Sequence, residues 1–149
     1  MRILVVKQPW ARLIASGAKT VEVRTWTTRY RGPVAIAAGC GWDPRAHLGR
    51  EETDARGALV CVVDLLDVQA WDEQRHRRAS QVPRDTAIPG HAFAWVIGAP
   101  RLVTPPLPHR GRLGLYADLE ASALAETISS TSPSPSADPP RPQMHRLAT

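Results

Sequence analysis

The chain has 149 residues, 43% of them hydrophobic, with 19 Lys and Arg against 14 Asp and Glu for a formal charge of +5. That length fits one domain, in which about 120 residues bury a core without metal or disulfide staples, and the charge fits an anionic partner, or plain solubility, better than a cationic one. The two cysteines, Cys40 and Cys61, lie in or beside apolar runs without CxxC spacing, the five histidines are scattered singly, and no apolar run reaches the ~18 residues of a membrane span, so no metal, cofactor or membrane is expected.

In chain order, "RILVV" is a β-branched run that fits a buried strand, and "MRILVV" is too short for the apolar stretch of a signal peptide, which reads as a cytoplasmic protein. Pro9 opens a short amphipathic helix over residues 9 to 17, with Trp10, Leu13 and Ile14 at helical spacing and Gly17 at its stop. "KTVEVRTW" alternates, placing Val21 and Val23 on one face and Thr20, Glu22, Arg24 and Trp26 on the other. "YRGP" is a turn and "PVAIAAG" a strand. "GALVCVVDLLDV" is the longest apolar run, and its valines predict a strand buried on both faces. "WDEQRHRRA" is polar, a surface helix or loop. "AFAWVIGAPRLV" and "GRLGLY" are the last two strands, joined by the rigid "TPPLPHRG". The expected fold is α+β, a curled sheet or small β-barrel of about five or six strands with short helices.

Composition shifts near residue 120, where Ser, Thr and Pro take over. The domain is expected to cover residues 1–120, and 121–149 to be a Ser/Pro-rich tail, disordered from about residue 128 because it lacks the apolar side chains to offset ordering entropy.

The charged strand face holds the candidate chemistry. Lys19 offers a point charge for phosphate or, when desolvated, a base; Glu22 accepts from an exocyclic amine or positions Arg24, whose planar fork suits phosphate or a base edge. The bland alternative is a wet edge face carrying an incidental ion pair. Trp26 and Tyr30, beside Arg29 and Arg31, are candidate stacking platforms, whereas Trp10 at a helix start reads as core. Arg110 and Arg112, with His109, form a second basic group at the last strand. Arg75–Arg78 ("RHRR") is a basic run that a solvated helix face explains, and Asp64 and Asp67 read as strand-end turn formers.

These residues carry a resemblance. Gln8-Pro9-Trp10, then Gly17, Lys19, Glu22 and Arg24 in the pattern G-x-K-x-x-E-x-R, then Arg31-Gly32 before an apolar strand, resemble the opening signature of the ASCH domain family, and the later strands extend the likeness over residues 3 to 118. The resemblance implies a PUA-like small β-barrel with a helix across a cleft. It implies RNA or another single-stranded nucleic acid, or a modified nucleoside, as partner, in a cleft lined by the segment that holds Lys19, Glu22 and Arg24, to which the residue reading adds Trp26, Tyr30, Arg31, Arg110 and Arg112 as binding residues. Some relatives of this fold are ribonucleases and others amidohydrolases of acylated cytidine; if this chain were an enzyme, Lys19 and Glu22 would be its catalytic pair. The amidohydrolases carry a threonine three residues after the lysine, and here Glu22 stands there. A binding module is therefore the expected function, with a small hydrolase as the alternative.

Overall fold

The computed structural model describes residues 1–130. Its strands are β1 (Arg2–Gln8), β2 (Val21–Arg24), β3 (Gly32–Trp42), β4 (Ala58–Ala70), β5 (Phe93–Ile97), β6 (Arg101–Pro108) and β7 (Leu115–Ala117). Its helices are α1 (Trp10–Ala15), α2 (Glu73–Ser80) and α3 (Leu119–Ser130), with a single 3-10 turn at Pro44–Ala46. The strands form one mixed sheet in the order β2-β5-β4-β3-β1-β7, with β6 also paired to β4. Only β1 and β3 run parallel.

β4 is the spine. Its first half pairs with β6 (Ala58↔Pro108, Val62↔Arg101) and its second half with β5 (Leu65↔Ile97, Ala70↔Phe93), while β3 follows its other edge. Register shifts at Ile36/Ala37, Leu59/Cys61 and Leu65/Asp67 mark bulges, which bend and coil a sheet. Ala58 to Val63 are all buried, as the valine-rich run predicts for a strand covered on both faces. One face packs Leu4, Val6, Ile36, Val63 and Trp95 against Trp10 and Ile14 of α1; the other packs Ile3, Ala35, Val62 and Val103 against Ala121 of α3. Each fully buried Ile or Val contributes about 1.5–3 kcal/mol relative to exposure.

Two expectations need correcting. The sheet is open rather than a closed barrel: among the described residues β2 and β7, at the two ends of the path, share no ladder. The described residues also form seven strands rather than five or six, because "AFAWVIGAPRLV" is two strands. Gly98–Pro100 breaks it, sending β5 along the far half of β4 and β6 along the near half. "TPPLP" is then part of β6 and not a connection, which its prolines permit because β6 pairs with β4 alone and lies at an edge.

Gly17, at φ +81°, ends α1 where expected. α2 forms over the polar "EQRHRRAS", capped by Asp72, whose side chain accepts the Arg75 N–H. α3 carries the ordered chain past residue 121, into the segment assigned to the tail, with Asp118 accepting the Ala121 N–H and Ala121 buried. The Ser/Pro-rich stretch from 131 to 149 lies outside the described residues. No described helix is long and apolar enough to cross a membrane.

Candidate nucleic-acid interface

The open sheet creates a cleft. β7 pairs with Arg2–Leu4 of β1, so from Val5 onward that edge of β1 has no strand partner among the described residues, and β2 pairs only with β5. Val5 and Lys7 on one side, and Glu22, Val23 and Arg24 on the other, line a cavity of about 1120 Å³. One side chain spans the gap: Arg24 Nη2 donates to the Val5 carbonyl at 2.8 Å. A second cavity of about 300 Å³, walled by Trp26 and the 82–89 segment, shares Trp10, Glu22, Val23, Arg24, Asp43 and Arg45 with the first. The two are lobes of one cleft whose floor at the junction is the Glu22/Arg24 face of β2.

The alternation in "VEVR" puts Glu22 and Arg24 side by side, and the Glu22 carboxylate (Oε1) lies 3.3 Å from Arg24 Nε. Lys19 sits elsewhere than at the cleft mouth. The turn at Gly17 drops it between α1 and the end of α2, where its N–H donates to the Leu13 carbonyl and the next N–H, of Thr20, to that of Ala79. Its side chain is 1% exposed. Nζ donates to the Ser80 carbonyl at 2.6 Å, stands 3.3 Å from Glu22 Oε2 and lies 4.7 Å from the centre of the Trp10 ring. Burial pulls the Lys19 pKa below its ordinary value, and the Glu22 carboxylate opposes that shift. Neither ion pair has hydrogen-bond alignment: Glu22 Oε2 and Arg24 Nε are buried without a hydrogen-bond partner among the described residues. Each is still held by an ion pair at 3.3 Å, Oε2 by Lys19 and Nε by Glu22 Oε1, so a well-aligned ligand group would add a hydrogen bond to that contact.

Asp43, Arg45 and Trp10 form the wall common to both lobes. The Trp10 indole N–H donates to Asp43 Oδ2 at 3.0 Å, while Arg45 donates from Nε to Oδ1 at 3.0 Å and from Nη2 to Oδ2 at 2.8 Å. The Arg45 hydrogen bonds hold the Asp43 carboxyl well below the usual carboxylate range, and the carboxylate raises Arg45 in turn. Arg45, its side chain 67% exposed, thus keeps a fixed guanidinium at the cleft wall.

Of the residues singled out from the sequence, Lys19, Glu22, Arg24 and Trp26 meet at the small lobe, with Trp26 set edge-on to Trp95 at 4.7 Å. Arg110 and Arg112 line the large lobe from the 109–114 loop. That loop is anchored by the His109 N–H donating to Gly57 O (2.8 Å), by His109 Nε2 meeting the Tyr116 hydroxyl (2.8 Å), and by Gly111 pressed onto Val5. Lys19 also lines the small lobe, with its side chain 1% exposed. Tyr30 and Arg31 line neither lobe: the Tyr30 hydroxyl donates to Pro33 O, and Arg31 pairs with Asp67 at 3.2 Å. β2 ends at Arg24, and the following turn carries them toward β4. Asp64 pairs with Arg101. Lys7, Cys40, Asp43 and Arg45 also line the cleft though the sequence alone does not single them out, and Trp10, which the sequence reads as core, is core and also lines both lobes. The local signal was "WDPR", an Asp-Pro-Arg turn straight after a strand.

The family model for the ASCH domain matches residues 4–115, which includes both strands that flank the cleft. The crystal structure of ASCH from Zymomonas mobilis superposes with a TM-score of 0.59 at 14% identity, covering 85% of this chain and 93% of that one. A serine-to-alanine mutant of the same organism's ASCH protein gives 0.59 at 15% identity, covering 88% and 96%. At such identities the likeness is one of fold. No curated protein matches the sequence.

Proposed function

The chain belongs to the ASCH domain family, and from that premise we propose that it is a nucleic-acid-binding module holding single-stranded RNA in the two-lobed cleft, in the manner of a PUA-like domain. The observation that supports this reading is the polar pair at the junction, Glu22 and Arg24, whose buried Oε2 and Nε are ion-paired at 3.3 Å but make no hydrogen bond among the described residues. A base edge presents the complement, an N–H for the carboxylate and a ring nitrogen or carbonyl for the guanidinium. The small lobe suits one base, held against Trp10 and Trp26, where stacking contributes about 1–3 kcal/mol. The large lobe suits the backbone, with Lys7, Arg110 and Arg112 along it and Arg45 at the junction. Lys19 acts through Glu22, as a buried counter-charge.

Equilibrium binding of a fluorescent single-stranded oligoribonucleotide tests this. Affinity should fall linearly on a log–log plot against salt. Glu22→Gln, which removes a charged acceptor, should weaken binding by about tenfold or more, since a hydrogen bond to a charged group is worth about 1.5–3 kcal/mol. An affinity indifferent to both salt and Glu22→Gln would overturn the reading.

Lys19 supports a second one, a small hydrolase of an acylated cytidine or a ribonuclease. A lysine whose pKa is lowered by burial, beside a carboxylate on a cleft floor, has the makings of a general base. With Glu22 at the position of the amidohydrolase threonine, the nucleophile would have to be water. Product formed by the wild-type protein from acylated cytidine or from RNA would favour this reading, and no product from either would leave binding as the function.

A further inference from the structure

The small lobe of the cleft does not end the path. Val82, in its wall, also lines a third depression of about 700 Å³ between α2 and the chain that follows, bounded by Gln74, Arg78 and Gln81 on the helix and by Pro83 and Arg84 opposite.

The basic run Arg75–Arg78 divides between inside and outside. His76 is buried, accepting the Asp72 N–H at Nδ1 (2.9 Å) and facing Gln69 Oε1 with Nε2 (2.9 Å). Arg77 is a strap: it binds both Glu73 oxygens, at 2.6 and 3.0 Å, and donates to the carbonyls of Pro83 (3.0 Å) and Thr86 (2.7 Å), fixing the segment that walls the small lobe. Arg78 and Arg84 have different surroundings. Both are exposed, and neither guanidinium makes an ion pair or hydrogen bond among the described residues. Glu73, the one carboxylate lining the groove, is occupied by Arg77 and by the Trp71 indole N–H.

The negative end of the α2 dipole would ordinarily repel an anion at this place. Here its last carbonyls are engaged. Arg77 O accepts the Ser80 hydroxyl, Arg78 O accepts the Gln81 N–H and side-chain amide, and Ser80 O accepts the ammonium of Lys19. The Lys19 amine therefore stands at that helix terminus, and the exposed Arg78 and Arg84 flank the groove beside it, Arg84 close enough to Glu73 to help lower its pKa.

We propose that the RNA strand held in the cleft continues through this groove, with Arg78 and Arg84 contacting phosphates of nucleotides that lie outside the cleft. The inference rests on the RNA-binding reading above and adds a second segment to its footprint. Its test compares single-stranded oligoribonucleotides of about four and about twelve nucleotides, lengths within the range one small domain covers, on wild type, Arg78→Ala/Arg84→Ala and Arg78→Lys/Arg84→Lys. The alanine pair should leave the short ligand's affinity unchanged. For the long ligand, the slope of log affinity against log salt should fall by about 1.4, at about 0.7 per phosphate contact, equivalent to about 25-fold at ~0.1 M relative to 1 M salt. The lysine pair should restore most of that loss, and Arg31→Ala, away from the path, should cause none. If wild type binds both lengths and the alanine pair leaves both unchanged, or weakens both equally, the extension is wrong and the cleft reading survives. If wild type binds neither, both fall together.

Discussion

Lys19→Met removes one charge from the buried pair while nearly conserving side-chain volume, so its cost reports electrostatics rather than a cavity. The substitution leaves Glu22, with its side chain 9% exposed, without its partner at 3.3 Å, and takes the donor from Ser80 O. Removing one partner of a buried ion pair costs about 3–5 kcal/mol; Arg24, 3.3 Å from the other carboxylate oxygen, offsets part of this, which places the expected loss near 3 kcal/mol. For a chain of this size that corresponds to a fall in Tm of about 10 °C. Urea denaturation should show a lower midpoint with an unchanged slope. Lys19→Met/Glu22→Gln, which neutralises both partners, should be less destabilised than the two single variants summed, by about 1–3 kcal/mol. The pH dependence supplies an independent arm. Burial lowers the folded-state pKa of Lys19 below the 10.5 of the free side chain, so between the two values the unfolded chain binds more protons and stability rises with pH. Above 10.5 both states are neutral at this site and the rise ends. Lys19→Met should lack that rise relative to wild type. A single variant within about 0.5 kcal/mol of wild type, or strict additivity in the double variant, would refute the claim that Lys19 is a buried counter-charge.

Other consequences are direct. Gly111→Ala would place a methyl 2.6 Å from Val5 Cγ2; the 109–114 loop must shift, at about 1–3 kcal/mol read by urea denaturation, and RNA affinity should fall as Arg110 and Arg112 move with it. Cys40 is exposed in the large lobe and should be alkylated quickly, with oligoribonucleotide slowing the reaction, whereas burial pushes the Cys61 thiol up to about 12 and should keep it inert until unfolding; mass spectrometry distinguishes them. Arg31→Ala should leave RNA binding unchanged and cost less than about 1 kcal/mol in thermal denaturation, because its exposed pair with Asp67 lies outside the cleft.

What the sequence made legible was local. Period-two alternation put Glu22 and Arg24 on one face, Gly17 marked the end of α1, and the valine run announced β4. What it hid were partners far along the chain. Lys19 stands five residues before Arg24 and shares its sign, yet its side chain is 1% exposed while that of Arg24 is 23% exposed. Lys19 is decided by Ser80 O, 61 residues away. Sequence proximity groups Tyr30 and Arg31 with the site, but a turn after β2 points them at Pro33 and Asp67. Arg45 was overlooked because its role depends on Asp43, which the Trp10 indole holds from 33 residues earlier. β5 and β6 merged into one run because Gly98–Pro100 is a short break, and the need for two strands arises only because the long β4 exposes each half of one edge to a different neighbour.

The open sheet gives the charged strand its physical reason. A β2 edge packed in a ladder against β1 would have needed apolar side chains above and below it and no side-chain donor between the strands. Left unpaired, the two edges face each other across a gap, and a single guanidinium answers one of their carbonyls, Val5 O. Arg24 must then be positioned, which Glu22 does from two residues away on the same face, and Glu22 must keep its charge in a site 9% exposed, for which Lys19 supplies a cation from behind. Each of the three charges is required by the one before it, and the sequence begins with the gap. At the centre of this chain Oε2 and Nε are held by ion pairs at 3.3 Å rather than by hydrogen bonds among the described residues, so the groups that take the place of a missing ladder keep polar capacity at the cleft floor.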